Sequence, residues 1–149
     1  MTQPSRHSVS VSAVVTDDAG RVLVIQRRDN GQWQIPGGVL ELDESIPAGV
    51  RREVHEETGL HVEPDRLTGV YKNLRLGVVA LVFRAHAVGG STRSTDESTQ
   101  VAWWTPDQVT AGMSDAFAAR VLDALDPTDV AVRLHDGTHF LDQDSANLS

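Results

Sequence analysis

The segment at residues 45–58 constrains the fold most, because it carries both a start signal and a stop signal for one helix. Ser45 is a residue type that caps helix N-termini with its hydroxyl, and Pro47 is tolerated in a first turn, where no backbone N–H is needed. Gly59 follows as a typical C-terminal stop. The sequence therefore predicts a single helix of about four turns in this segment.

The predicted helix carries three glutamates at spacings i, i+3 and i+4, which places them on one face: Glu53, Glu56 and Glu57. Taken alone, such a face is usually solvated surface. The alternative is a site where a cation neutralises the repelling charges, and carboxylate oxygens suit Mg²⁺, with Mn²⁺ as a substitute. Arg52 is spaced to pair with Glu56, and Gly37 and Gly38 let the backbone approach a metal or a phosphate closely.

The residues around the glutamates favour the cation site. The pattern G-x5-E-x7-R-E-U-x-E-E-x-G-U, in which U is a bulky aliphatic residue, belongs to the Nudix hydrolases. The sequence resembles that family at every specified position: Gly38, Glu44, Arg52, Glu53, Val54, Glu56, Glu57, Gly59 and Leu60. A looser resemblance extends from the first strands to about Val109.

The resemblance implies an α/β/α sandwich with a mixed β-sheet, in which residues 38–60 form a loop, a helix and a second loop. It implies that one to three Mg²⁺ ions lie near Gly37 or Gly38 on the carboxylates of Glu53, Glu56, Glu57 and Glu97, the last in a polar loop. By the same resemblance, Glu57 belongs to the catalytic centre, Glu53 or Glu97 acts as the general base, and Arg52 and Glu44 support the loop and helix.

Contacts to the substrate are expected from four more residues. The resemblance directs Arg27 and Arg28, at the end of the second predicted strand, toward the same region, where one of them would contact phosphate. Trp33 and Tyr71 are candidates for stacking on a base. Each of the four has an ordinary surface or core role as its alternative.

The substrate is predicted only by elimination. Residues 74–78 lack the proline and the tyrosine that mark family members specific for ADP-ribose and for dinucleoside polyphosphates. The sequence therefore resembles MutT-like members that hydrolyse nucleoside triphosphates, with ADP-ribose or another sugar nucleotide as the alternative. A nucleotide-sensing module without turnover and a plain acidic binder of divalent ions are the hypotheses of other classes.

The rest of the sequence predicts one α+β domain over residues 1–141 and a disordered tail over 142–149. Its predicted elements are a hairpin of residues 9–15 and 22–25, strands at 77–88 and 101–104, a helix at 113–125, and a terminal hairpin of 130–134 and 138–141. The terminal hairpin is expected to cover the domain's own core, to form a homodimer interface, or to line the rim of the substrate cleft.

Charge and composition exclude several classes of function. A net charge of −8 argues against a broad nucleic-acid interface, and the absence of cysteine excludes disulfides, thiolate metal sites and thiol nucleophiles. No secretory signal or membrane-spanning stretch is recognisable. The expectation is a cytoplasmic protein whose partner is a small nucleotide.

Overall fold

The computed structural model of the protein describes residues 4–126 and 128–142. Its elements in chain order are β1 (Ser8–Val15), β2 (Val22–Arg27), β3 (Trp33–Gln34), β4 (Gly37–Val39), α1 (Ile46–Thr58), β5 (Leu60–Asn73), β6 (Val78–Gly90), β7 (Ser98–Trp104), α2 (Pro106–Gly112), α3 (Asp115–Leu125) and β8 (Ala131–His135). None of the helices within this described part of the chain has the length and apolar character needed to cross a bilayer.

The strands form two sheets. The larger sheet has the order β4-β1-β6-β5-β8 and is mixed: β1 runs parallel to β6 and β5 runs parallel to β8, while the other two pairs are antiparallel. The smaller sheet has the order β3-β2-β7 and is antiparallel. The mixed larger sheet, the antiparallel smaller sheet and the flanking helices confirm the predicted α+β class.

The core lies in two clusters, which the alternation of side chains along β1 separates. Val14 belongs to a cluster with residues of α2 and α3, such as Val109 and Val121. The neighbours Ala13 and Val15 belong to a second cluster with Val50 and Val54 of α1. The helices therefore cover opposite faces of the larger sheet, and α1 presents its C-terminal half next to β4.

Helix α1 begins and ends as the sequence predicts. The hydroxyl of Ser45 accepts a hydrogen bond from the backbone N–H of Ala48 at 3.2 Å, and Pro47 lies in the first turn. Gly59 adopts a left-handed conformation with φ of 85°, and its N–H bonds the carbonyl of His55 at 2.9 Å. A Cβ on Gly59 would also lie 2.5 Å from the carbonyl oxygen of Ser91, so only glycine fits.

The prediction that β1 and β2 pair as a hairpin is wrong, although the predicted turn between them is present. Asp17 N–H bonds the carbonyl of Arg21 at 3.0 Å, but only one bridge, between Thr16 and Val22, joins the two segments. Strand β1 pairs with β6 along its whole length and with β4 at residues 10–12. Strand β2 crosses into the smaller sheet instead and pairs with β3 and β7.

The terminal segment differs from the prediction in the same way. The turn at 136–137 is present, and the chain returns to make a bridge between His135 and Phe140 and a bond from Leu141 N–H to the carbonyl of Leu134 at 2.9 Å. However, β8 pairs in parallel with β5 and forms the fifth strand of the larger sheet. The segment is therefore part of the main sheet and not a separate strand pair. The predicted tail lies outside the described residues, except for Asp142.

Candidate functional site

A cleft of about 660 Å³ opens where the C-terminal half of α1 faces β4, the end of β2 and the loop before β7. The residues that line it come from four separate parts of the chain: Arg27, Arg28, Asp29, Gly37, Gly38, Val39, Glu53, Glu57, Asp96 and Glu97. Seven of the residues that the sequence predicted for the site are among them: Arg27, Arg28, Gly37, Gly38, Glu53, Glu57 and Glu97.

Three carboxylates converge in this cleft. One oxygen from each of Glu53, Glu57 and Glu97 lies within 4.8 Å of the other two. Glu53 is 7% exposed and Glu57 is 3% exposed, whereas Glu97 lies on the exposed loop. Burying like charges this close together is unfavourable without a compensating cation. Carboxylate oxygens are the donors that Mg²⁺ and Mn²⁺ prefer, so this donor set fits such an ion.

Glu57 is the most deeply placed of the three carboxylates. Its Oε1 accepts a hydrogen bond from the backbone N–H of Gly37 at 2.7 Å, which fixes the side chain against β4. Burial raises the pKa of Glu57 to about 8; the Gly37 N–H opposes this rise, and the charges of Glu53 and Glu97 add to it. The site therefore favours a bound positive charge beside Glu57.

Glu53 packs directly against the backbone of Gly38. A Cβ built on Gly38 would lie 2.5 Å from Oε2 of Glu53, so glycine is required at this position if the carboxylate is to stay where it is. Burial raises the pKa of Glu53, and the hydrogen bond from Arg52 at 2.8 Å opposes this rise. The sequence predicted that Gly38 lets the backbone approach a metal or a phosphate; the group that packs against Gly38 in the structure is the carboxylate of Glu53.

Arg52 joins the two ends of the motif. Its guanidinium donates to both oxygens of Glu44, at 2.6 and 2.9 Å, and to the carbonyl of Val39 at 3.1 Å. The bidentate bond with Arg52 lowers the pKa of Glu44 to about 2. Arg52 also reaches Glu53 and, at 3.3 Å, Glu56. It therefore joins the loop to the helix, and the supporting role that the sequence predicts for it stays a prediction.

Glu56 lies apart from the three-carboxylate cluster. Its side chain is exposed and is held by Arg52, so the structure does not bring this predicted ligand together with Glu53, Glu57 and Glu97. A role in metal binding would require its side chain to leave Arg52.

The two arginines of β2 and its following turn are held differently. Arg27 forms an ion pair with Asp29, with atoms 2.5 and 2.8 Å apart, at the wall of the cleft. Arg28 donates to the carbonyls of Thr95 at 2.8 Å and Asp96 at 3.1 Å, and its backbone N–H bonds the carbonyl of Glu97 at 3.0 Å. Arg28 therefore fixes the loop that carries Glu97.

The two aromatic candidates do not contact this cleft. Tyr71 is 0% exposed and donates a hydrogen bond to Asp123 of α3 at 2.7 Å, so it is a core residue and cannot stack on a base. Trp33 packs its ring on Trp104 with centroids 4.7 Å apart and lines a different cavity. An aromatic residue within a strand carries no local sequence signal that separates a core ring from a ring that binds a ligand.

Sequence reasoning missed several residues at or near the site. Ser98 is buried, and its hydroxyl donates to the carbonyl of Glu57 at 2.7 Å, which ties β7 to the end of α1. Ser12 of β1 and Arg120 of α3 line a second cavity that shares walls with the cleft. A charged residue one helical turn after Phe117 on an otherwise apolar face of α3 was the available signal for Arg120.

The family model described as the NUDIX domain matches residues 6–125, so the chain belongs to the Nudix hydrolases, enzymes that act on nucleoside diphosphate-linked compounds. Among its relatives is a "MutT-like protein" of Streptomyces ambofaciens, 56% identical over 140 residues, which cover 94% of this chain and 91% of the relative.

Two further relatives carry more specific names. The human "8-oxo-dGDP phosphatase NUDT18" is 39% identical over 101 residues, which cover 63% of this chain but only 31% of that protein. The solved structure of an ADP-ribose pyrophosphatase from Streptococcus suis is 25% identical with a TM-score of 0.69, and the match covers 87% of this chain and 100% of that one. The shared structure confirms the fold that the sequence predicted.

Proposed function

We propose that the protein is a MutT-like pyrophosphohydrolase that uses Mg²⁺ to hydrolyse a diphosphate bond of a nucleoside triphosphate. The observation that carries this proposal is the cluster of Glu53, Glu57 and Glu97, within 4.8 Å of one another in a cleft that also presents an arginine. Two of the carboxylates are buried, which distinguishes the cluster from a solvated acidic face.

These three glutamates would hold the cation. Bound Mg²⁺ would neutralise the diphosphate and lower the pKa of an attacking water. The hydrogen bond from the Gly37 N–H holds the carboxylate of Glu57 in one position, so this ligand would be in place before the cation binds. Arg52 holds Glu53 through a hydrogen bond of 2.8 Å and so orients the second ligand.

The general base is assigned to Glu97. The sequence left Glu53 and Glu97 as alternatives, and their surroundings differ. Glu53 is buried and already accepts a hydrogen bond from Arg52, whereas Glu97 is exposed at the mouth of the cleft. An accessible carboxylate can take the proton of water and pass it to solvent. Arg27, which pairs with Asp29 at the cleft wall, is placed to contact a phosphate of the substrate.

The alternative substrate is ADP-ribose or another sugar nucleotide. One named relative is an ADP-ribose pyrophosphatase, which supports this alternative, whereas the other is a phosphatase of the diphosphate 8-oxo-dGDP and supports neither reading directly. Similarity to the MutT-like protein over nearly the whole chain favours the triphosphate. The hypothesis of a sensing module without turnover is disfavoured, because such a module has no need to keep three converging carboxylates.

The test is product analysis on a panel of nucleoside triphosphates, ADP-ribose and UDP-sugars, with Mg²⁺ and with excess chelator. The proposal expects Mg²⁺-dependent release of a nucleoside monophosphate and pyrophosphate. Release of a monophosphate and a sugar phosphate would establish the alternative. Binding of a nucleotide without any turnover would contradict both and establish the sensing module.

A further inference from the structure

A second cavity, of about 180 Å³, adjoins the carboxylate cleft and shares Arg27, Gly37 and Gly38 with it. This volume equals about six water molecules at liquid density, which is the size of one small ring system and not of a whole nucleotide. Because the two cavities share walls, one ligand can occupy both. Its diphosphate would then lie at the carboxylates and another of its parts in the second cavity.

Two polar groups of the second cavity have no partner. Ser12 is 6% exposed, and its hydroxyl makes no hydrogen bond. The Nε of Arg120 is also buried without a hydrogen bond, and no carboxylate in the described part of the chain lies within ion-pairing distance of this guanidinium. Buried polar groups are satisfied in the great majority of cases, so two orphaned groups lining one small cavity indicate a missing partner.

The guanidinium of Arg120 is held in place by two aromatic rings. Its central carbon lies 4.6 Å from the ring centroid of Phe117 and 5.3 Å from that of Tyr71. Burial lowers the pKa of Arg120 to about 10, which still leaves it charged at neutral pH. The rings thus fix a charged donor with unused N–H capacity at the wall of the cavity.

A third donor comes from Asn73. Its Oδ1 accepts hydrogen bonds from the backbone N–H groups of Arg75 at 3.1 Å and Leu76 at 3.2 Å, so the amide is oriented and its Nδ2 remains available as a donor. The described residues that line this cavity include no carboxylate, and the remaining walls are mostly apolar, at Val11, Ile35, Val78 and Phe117. The cavity therefore suits a flat, largely apolar group with hydrogen-bond acceptors on its edge.

We infer that this cavity binds the base of the substrate and that Arg120 selects 6-oxopurines over adenine. This inference rests on the proposed function, because it requires a nucleotide with its phosphates at the carboxylates. Arginine can only donate hydrogen bonds, and the adjacent O6 and N7 of guanine or hypoxanthine are two acceptors on one edge. Adenine presents an amino group at the same position, so two hydrogen-bond donors would face each other without an acceptor between them.

The decisive experiment compares GTP and ITP with ATP in the wild-type enzyme and in Arg120→Met. A bidentate contact of this kind is worth about ten- to hundredfold in discrimination. The wild type is therefore expected to show a kcat/KM for GTP and ITP higher than that for ATP by this factor. Arg120→Met should lose at least tenfold more with GTP and ITP than with ATP, which removes the preference.

Two further variants separate recognition from folding. Arg120→Lys keeps the charge but loses the planar pair of donors, so the preference for GTP should fall while the melting temperature stays close to that of the wild type. Arg66→Met, at an exposed arginine of β5, is the matched control and should leave the preference unchanged. A wild-type ratio of GTP to ATP below threefold, or a ratio that survives Arg120→Met, would overturn the inference.

Binding of GMP and AMP, measured by calorimetry, distinguishes failure of this inference from failure of the proposed function. Neither nucleotide contains a diphosphate bond, so hydrolysis plays no part. GMP should bind at least tenfold more tightly than AMP, and Arg120→Met should abolish the difference. This result would uphold the base pocket even if no triphosphate were hydrolysed. Equal binding, or no measurable binding of either nucleotide, counts against it.

Discussion

Among the residues of the site, Glu57 is the one whose charge most needs a neighbouring cation. Its carboxylate is buried, accepts one backbone hydrogen bond and lies close to two other carboxylates. A glutamine keeps the size and the hydrogen bond from Gly37 but removes the negative charge. The glutamine variant therefore tests the role of the charge in catalysis without removing a contact that the fold uses.

Glu57→Gln should lower kcat by two orders of magnitude or more, because one charged metal ligand is lost. The free energy of unfolding in the presence of chelator should be unchanged or higher, since the substitution relieves repulsion between buried like charges. Steady-state kinetics and urea unfolding on the same preparations measure both. A near-normal rate for this variant would refute the assignment of the metal site.

The two adjacent glycines of β4 differ in what they contact: Gly38 lies against a predicted metal ligand and Gly37 lies against the backbone of β1. The three atoms nearest to a Cβ on Gly38 all belong to the carboxylate of Glu53, the movable end of a side chain. A Cβ on Gly37 would lie 2.5 Å from the backbone carbonyl oxygen of Val11 and would also meet Ser12. The same substitution should therefore have different consequences at two neighbouring positions.

Gly38→Ala should lower activity at least tenfold, because it displaces a metal ligand, while it costs less than about 1 kcal/mol of stability. Gly37→Ala should cost about 1–3 kcal/mol, because the backbone of β1 cannot move aside without breaking the pairing of β1 with β4. Urea unfolding and kcat/KM, measured on both variants, test the contrast. Equal loss of stability in the two variants would contradict it.

At the scale of elements, the parts of the fold that the sequence predicted are those with local signals. Helix α1 has Ser45 and Gly59 as its caps because both signals act within a turn of the helix ends. The sequence does not predict strand β5, because Pro64 and Gly69 interrupt its pattern. In the structure, the pairing of β5 with β6 shifts register in three places. The separation of β1 from β2 depends on which strands already occupy the edges of β1, which no local pattern encodes.

The same distinction holds for the site. Spacing along the helix placed Glu53 and Glu57 on one face, and the family resemblance placed Gly38 beside them. The burial of Tyr71 depends on the packing of α3 over β5. Ser12 and Arg120 lie 108 positions apart in the sequence and meet only through that same packing.

Asp123 anchors α3 to the larger sheet. It accepts a hydrogen bond from Tyr71 of β5 at 2.7 Å and a bidentate pair from Arg133 of β8, both at 2.7 Å. Burial alone would raise the pKa of Asp123, but the hydrogen bonds from Arg133 and Tyr71 outweigh it and lower the pKa below the ordinary value of 3.8. A group whose pKa is lowered on folding stabilises the fold in its charged form.

Asp123→Asn should therefore reduce the free energy of unfolding by about 1–2 kcal/mol at pH 7, a value that allows for the partial exposure of Arg133. The difference from the wild type should be constant above about pH 5 and should shrink as the pH falls below about 4, through the lowered pKa of the folded state. Urea unfolding across this range measures it. Asp18→Asn, at an exposed turn, is the control, and a difference that does not depend on pH would contradict the assignment.

At the scale of the whole molecule, the two cavities and the terminal strand lie on different parts of one layered structure. The carboxylate cleft is formed where α1 meets β4, and the second cavity extends from it toward α3. Strand β8 closes the far edge of the larger sheet. No residue of β8 lines either of these two cavities, so the homodimer stays the prediction to be tested at this strand.

The predicted homodimer can be tested at β8 with a single substitution. Val132 is 60% exposed on this strand, and a lysine there would place a charge in an interface without affecting the core. Deleting everything after Leu125 would also remove a paired strand of the sheet, so the point variant is the cleaner test.

Light scattering should give twice the 16.1 kDa chain mass for the wild type and the single mass for Val132→Lys. Val88→Lys, at a valine of β6 that is 61% exposed, should leave the mass unchanged. A wild type that is monomeric over the whole concentration range would refute the dimer, and β8 would then serve only to complete the sheet.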